Sequence, residues 1–311
     1  GKELKIKVSN DIIEQLDLFF PGKTSQDRIR ECLEYGIKKK EDEQHSQLKE
    51  KLNVVDLFSG AGGLSRGFMD AGFNVALGID FDDAALKTFK ENHGEAEIMK
   101  LDLFNHDNLH FITDYLHEKN FSIDVLAGPR NETDKRNSLY EAMVKLAQLT
   151  KPKAIVLENV PGLLKLFEGK AAQRIMDDFS DLGYKMQKQI LFAPEFGVPQ
   201  IRKRVFFVGV LPEYGNFTYP TPILDKENFI TCEDAINDLP SLENDIGQEI
   251  SDYSSNPLSV YQEVMRKNSD ILFNHVGTQH EQKTIELIAM VPEGKNFRAL
   301  PAPYNTMFKY N

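Results

Sequence analysis

Cysteine is nearly missing from this chain: Cys32 and Cys232 are the only two in 311 residues. Two thiols cannot build a disulfide framework, and no paired Cys/His spacing offers a zinc site, so no metal is expected. Long apolar runs are missing too. The longest, such as Ile155–Leu157 and Val205–Leu211, are far too short to cross a bilayer, and no secretory apolar region follows the N-terminus. The expectation is a protein with no membrane partner, at home in a reducing cytoplasm. Positive charge is in deficit, with 37 Lys+Arg against 48 Asp+Glu and a net charge of −11. Such a chain repels polyanions on average, which excludes charge-only, histone-like nucleic-acid binding. Any nucleic-acid face must be a local basic patch. What remains is ordinary globular composition, 41% hydrophobic and 27% charged. At ~150 residues per domain the length predicts two domains, or one large α/β domain with an appendage.

The first forty-odd residues differ from the rest. Leu4-Lys5-Ile6-Lys7-Val8 alternates like a short strand, and Ser9-Asn10-Asp11 caps a helix with Ile12, Ile13, Leu16, Phe19 and Phe20 on its buried side. After Pro21-Gly22, a second helix carries Ile29, Leu33 and Ile37 in phase. Strand, helix, helix over residues 1–45 resembles a ribbon–helix–helix module, which would imply a homodimer and an operator-binding role that represses its own transcription. A helical hairpin packed on the next domain is the equal alternative. Residues 38–51 are charge-dense, with 46–51 read as the linker. From Leu52 strands and helices alternate: strands at 53–58, 73–79, 96–101, 123–127, 154–157, 184–191 and 205–210, and helices at 64–71, 84–93, 137–149 and 171–182. That alternation predicts an α/β fold, a doubly wound, mostly parallel sheet over residues 52–230 with ligands at the strands' carboxyl ends. Residues 231–311 read as the start of a smaller region, Pro- and polar-rich, with one capped helix near 233–239.

Chemistry concentrates at the predicted strand tips. Phe58-Ser59-Gly60-Ala61-Gly62-Gly63-Leu64 follows an apolar strand, and its glycines let backbone N–H groups approach a ligand closely. The spacing is not G-x-G-x-x-G, which disfavours NAD. Asp80 ends the next strand, where α/β nucleotide folds place an acid on the ribose hydroxyls, and Asp102 ends the third, able to accept from an exocyclic amine. Each alone is more often a cap or turn former. Together the three describe an adenosine pocket with no pyrophosphate site.

The blocks DLFSGAGGLSRGF, GIDFDDAALKTFKENH, LDLF, DVLAGP, LENVPGLL and FGVPQIRKRVFFVG resemble, in order, the motifs of the DNA (cytosine-5)-methyltransferase family, over residues 53–210 and weakly through EDAINDLP. The resemblance implies a Rossmann-like class I methyltransferase fold that binds S-adenosyl-L-methionine, leaves S-adenosyl-L-homocysteine, and methylates carbon 5 of a flipped-out cytosine in double-stranded DNA. It assigns Phe58 to Leu64 to the methionine part and adenine edge, Asp80 to the ribose, Phe81 to the adenine face, and Asp102 with Leu103 to the adenine amine. Pro129 and Leu139 would line the cofactor pocket. Glu158 would bind the base at N3 and its 4-amino group, while Gln200, Arg202 and Arg204 would support the catalytic loop and reach the cytosine O2. The implied role is the modification enzyme of a restriction–modification system, in the cytoplasm, nucleoid-associated if the source is bacterial.

The chemistry explains those residue types. Carbon 5 becomes nucleophilic only after a thiolate adds to C6, and an acid at N3 with a cationic donor at O2 relieves the charge that develops. Glu158 must then hold a proton in the complex, which calls for a dry pocket. The family's nucleophilic Cys is expected between Pro129 and Arg130, where this sequence has none. Either the natural protein carries a loop there that this sequence omits, which the intact flanks favour, or the loop is truly deleted. In the second case the chain is an inactive or split cofactor-binding subunit, or a DNA-binding regulator. Neither Cys32 nor Cys232 sits where it could substitute.

Overall fold

The structure is a computed structural model and describes residues 51–129, 137–242, 246–267 and 269–306. The expectations for residues 1–50, including the ribbon–helix–helix module and most of the linker, lie outside the described residues. So does the Pro129–Arg130 junction. The chain divides into two compact units, one containing residues up to Leu191 with Lys203–Pro220, the other containing Phe192–Arg202 and the residues from Thr221 onward.

The first unit is built on seven strands: β1 (Asn53–Leu57), β2 (Asn74–Asp80), β3 (Glu97–Lys100), β4 (Val125–Pro129), β5 (Ala154–Asn159), β6 (Lys185–Phe192) and β7 (Lys203–Val210). Their order is β3-β2-β1-β4-β5-β7-β6. The pairings from β3 through β5 are parallel, while β7 runs antiparallel to β5. Among the described residues five α-helices accompany them: α1 (Gly63–Asp70), α2 (Asp83–Asn92), α3 (Leu109–Glu118), α4 (Asn137–Thr150) and α5 (Lys170–Asp181). This is the doubly wound, mostly parallel sheet that the sequence predicts. The sequence reading missed α3, whose buried phase of Leu109, Ile112 and Leu116 is interrupted by His110, Phe111 and His117.

Period-2 alternation divides the core between the two faces of the sheet. Val55 and Leu57 of β1 join Leu126, Ile155 and Phe207 beneath Ile112 of α3, Leu146 of α4 and Phe179 of α5. Full burial of each such side chain contributes about 1.5–3 kcal/mol. Val54 points the other way, into a smaller cluster with Val75, Phe89 of α2, Val125 and Ala127. Coverage is therefore unequal: three described helices serve one face, and α1 and α2 the other. Beside α1 lies a cleft of about 300 Å³ whose lining includes Leu64, Phe68, Val156, Phe206, Val208 and Tyr219.

The second unit holds α6 (Cys232–Ile236), α7 (Val260–Arg266), α8 (Gln282–Ala289) and an antiparallel pair, β8 (Gly247–Ser251) with β9 (Leu272–Val276). Thr231 and Asp234 close a capping box at the start of α6. Arg266 pairs with the buried Asp238 at 3.0 Å and stacks 3.6 Å from the Tyr253 ring. The sequence reading of one helix and otherwise irregular chain beyond Leu211 is thus corrected. The strands are five residues long with exposed apolar positions such as Ile250 and Phe273, so no alternation marks them. No described helix is long and apolar enough to cross a membrane.

Candidate active site

The carboxyl ends of β1, β2, β4 and β5 share one rim of the sheet because these strands are parallel, and antiparallel β7 begins at that same rim. After β1 the chain turns sharply through left-handed backbone at Phe58 (φ 58°), Gly60 (φ 54°) and Gly62 (φ 89°). Ser59 N donates to the Ile79 carbonyl at 3.0 Å, tying the turn to β2. Gly62 is obligatory for packing, since a Cβ there would fall 2.2 Å from Cε1 of the buried His93. At Gly60 and Gly63 a Cβ would meet nothing within 4 Å. Those two glycines leave open space over the backbone rather than relieve a crowded core.

Asp80 ends β2 and is 8% exposed. One of its oxygens accepts from Gly60 N at 2.9 Å, the other from Phe81 N at 2.8 Å and Asp82 N at 3.0 Å. A ribose diol would share these lone pairs with three main-chain donors. Phe81 beside it holds its ring 62% exposed, a free aromatic face. Asp102 follows β3, exposed, with Oδ1 accepting from Phe104 N at 2.9 Å. Leu103 is 2% exposed and belongs to the core, so its main chain, not its side chain, is what it can offer a ligand. Pro129 ends β4 in register with Glu158 of β5, and Leu139 lies in the first turn of α4.

Glu158 and Arg204 are joined across β5 and β7, with Arg204 Nε 2.7 Å from Glu158 Oε1. Each side chain is about a quarter exposed, 23% and 24%. The dry, proton-bearing acid expected in the complex with a base is therefore not this state, in which Glu158 is ion-paired at a wet rim. Gln200 and Arg202 lie on the 192–202 connection and belong to the second unit.

Four buried polar atoms around these tips lack a hydrogen-bond partner: Asp56 Oδ1, Ser59 Oγ, His93 Nε2 and Asn159 Nδ2. Orphaned polar atoms are rare in native cores and point to a group that completes them. The sequence reading overlooked Asp56, Ser65, His93 and Asn159. A charge inside the apolar run VVDLF was the available signal for Asp56; Ser65, His93 and Asn159 lie inside the quoted motif blocks, but no role was assigned to them there. Open glycine backbone, a sequestered acid, an exposed aromatic and an exposed acid on three adjacent strand tips fit an adenosine-type cofactor. Among the described residues no cluster of His, Cys, Asp or Glu could hold a metal ion.

A family model for C-5 cytosine-specific DNA methylases matches residues 52–296. The chain belongs to this family. Among its relatives, the Type II methyltransferase M.DdeI of Desulfomicrobium norvegicum is 34% identical over 261 residues, covering 79% of this chain and 62% of the relative. M1.HphI of Haemophilus parahaemolyticus is 30% identical over 261 residues, covering 80% and 63%. The chain thus spans less than two thirds of the length of these curated relatives. A solved structure, described as a DNA modification methyltransferase encoded within a prophage (E. coli), matches with a TM-score of 0.65 and 24% identity, covering 78% of this chain and 76% of that one. That likeness shows the fold, an α/β methyltransferase sheet. Among the described residues the one free thiol, Cys232, is exposed at the first residue of α6 in the second unit.

Proposed function

We propose that this chain is the catalytic part of an enzyme that methylates carbon 5 of cytosine in double-stranded DNA, as the modification half of a restriction–modification system. The observation that carries the reading is the Glu158–Arg204 pair on the same rim as the cofactor-compatible tips of β1 and β2. S-adenosyl-L-methionine would supply an electrophilic methyl group and leave as S-adenosyl-L-homocysteine. The backbone from Phe58 to Leu64 would hold its methionine end, Asp80 the ribose and Phe81 the adenine face. Asp102 would accept from the adenine amine, with Pro129 and Leu139 at the pocket wall. Glu158 would exchange its bond to Arg204 for the base, holding a proton at N3 and accepting from the 4-amino group. Arg204, released but close, would set positive charge toward O2 as the ring becomes electron-rich. The base must leave the helix to reach them, at a cost of a few kcal/mol. We also propose the division into a cofactor domain over 52–230 and a smaller region from 231, part of which would face the DNA target.

The absence of a thiol after Pro129 favours a second reading, a cofactor-binding subunit that does not methylate. Incubation with tritiated methyl donor and mixed-sequence DNA separates the two. Methyl incorporation by the natural protein, with peptide sequencing that finds Pro-Cys across the junction, supports the enzyme. Donor uptake without incorporation supports the subunit, and a well-folded protein that takes up neither the donor nor its demethylated product overturns both.

A further inference from the structure

Asp56 lies under the glycine turn and is 0% exposed, as is Ser65 in the first turn of α1. Ser65 Oγ donates to Asp56 Oδ2 at 2.6 Å, while Oδ1 has no partner. A carboxylate with one oxygen buried and unpaired is costly, whereas a neutral acid whose Oδ2 proton turns to Ser65 Oγ, with the serine hydroxyl rotated to accept, leaves only an unpaired carbonyl, so this geometry accommodates the protonated form. The surrounding charges do not reverse that. Asp80 on β2 repels a second negative charge. β4 reads VLAGP and brings no titratable group. His93, at the end of α2, stacks on Phe89 behind Gly62 with Nδ1 at the Phe89 carbonyl, and Asp82 and Asp83 at the start of α2 are exposed. Arg66 on α1 turns outward to Asp70 at 2.9 Å. Burial pushes the Asp56 pKa up to about 7, the Ser65 bond pulls the other way, and Asp80 adds to the rise.

Resting on the cofactor reading above, we propose that Asp56 is a proton switch for donor uptake. It holds a proton in the ligand-free protein, releases it to solvent when the sulfonium-bearing S-adenosyl-L-methionine enters, and keeps it when the uncharged thioether of S-adenosyl-L-homocysteine enters instead. A cation beside a carboxyl favours its charged form. The site then prefers donor over product, and does so more strongly as the pH rises. With the ionised form binding the donor, affinity should climb by up to about tenfold between pH 6 and pH 8, and donor uptake near pH 7 should release about half a proton more than product uptake. The α-amino group of each ligand titrates as well, but it is the same in Asp56→Asn, so the part of the donor profile lost in that variant belongs to Asp56.

Titration calorimetry on the full 311-residue chain tests this. Donor and product are each titrated at pH 6, 7 and 8 in two buffers of different ionisation heat. The expected result is a rising affinity and extra proton release for the donor alone, lost in Asp56→Asn. Ser65→Ala removes a bond that favours the ionised form, and should move the donor transition to higher pH. Parallel profiles for donor and product, or a difference that survives Asp56→Asn, overturn the inference alone. Uptake of neither ligand at any pH overturns it together with the cofactor reading.

Discussion

At the scale of single residues, two acids in the first unit are asked for opposite behaviour by their surroundings. Glu158 is held at the rim by a guanidinium, Asp56 is sealed beneath the turn with a hydroxyl. If Glu158 handles the proton on the base, Glu158→Gln in the natural protein should lower methyl transfer about 10²- to 10³-fold while donor affinity, read by calorimetry, moves by less than about twofold. Equal losses in both would remove it from the chemistry. Asp56 yields a stability prediction of definite sign. Its pKa is raised in the folded protein to about 7 from an ordinary 3.8, so the folded state binds more protons between those values. The contribution of Asp56 to stability is therefore fully present below pH ~4, is lost as pH rises toward 7, and is level above it. Asp56→Asn removes that decline, and its stability relative to the parent should improve by about 2–4 kcal/mol between pH 4 and pH 8, measured by urea unfolding. No relative change across that range would mean the carboxyl titrates normally. The acid-rich tips could be read from the sequence because each sits in a short motif. The Asp56–Ser65 bond could not, because burial and a nine-residue separation have no linear signature.

At the scale of elements, α1 places two glycines where the same substitution has opposite consequences. Gly62 caps the helix in left-handed backbone against His93, and Gly62→Ala should cost about 2–4 kcal/mol through strain and collision. Gly67 sits within the helix with open space where a Cβ would go, and Gly67→Ala should stabilise by about 0.5–1 kcal/mol. Chemical unfolding of both variants checks the pair; a like sign would mean that the turn is not held as described. Elements were legible to the degree that their pattern was long and pure. β1, β2 and α5 declare themselves, the last through Ala171, Ala172, Ile175 and Phe179 on one side. The α3 helix hid because Phe111, at 49% exposure, spoils its phase. β8 and β9 hid because five residues with an exposed Ile250–Phe273 pair resemble loop as much as strand.

At the scale of the molecule, the described helices dress the sheet of the first unit more fully on one side than on the other. Parallel sheets are normally covered on both faces. The 300 Å³ cleft beside α1 is lined with apolar side chains and should take up an environment-sensitive naphthalene sulfonate dye under native conditions. Phe206→Ser should weaken the fluorescence several-fold, and an unchanged signal would place the dye elsewhere. The charge of the whole chain gives the salt link between Glu158 and Arg204 a further meaning. On the function proposed above, a protein carrying −11 would have to let a phosphate-studded duplex come within touching range of its working edge. Along that edge Asp80, Asp102 and Glu158 would each push such a visitor away. If the proposed function holds, Arg204 would offset the last of these charges until a base arrives, so that Glu158 would repel the backbone less during approach and be released to the nucleobase afterwards.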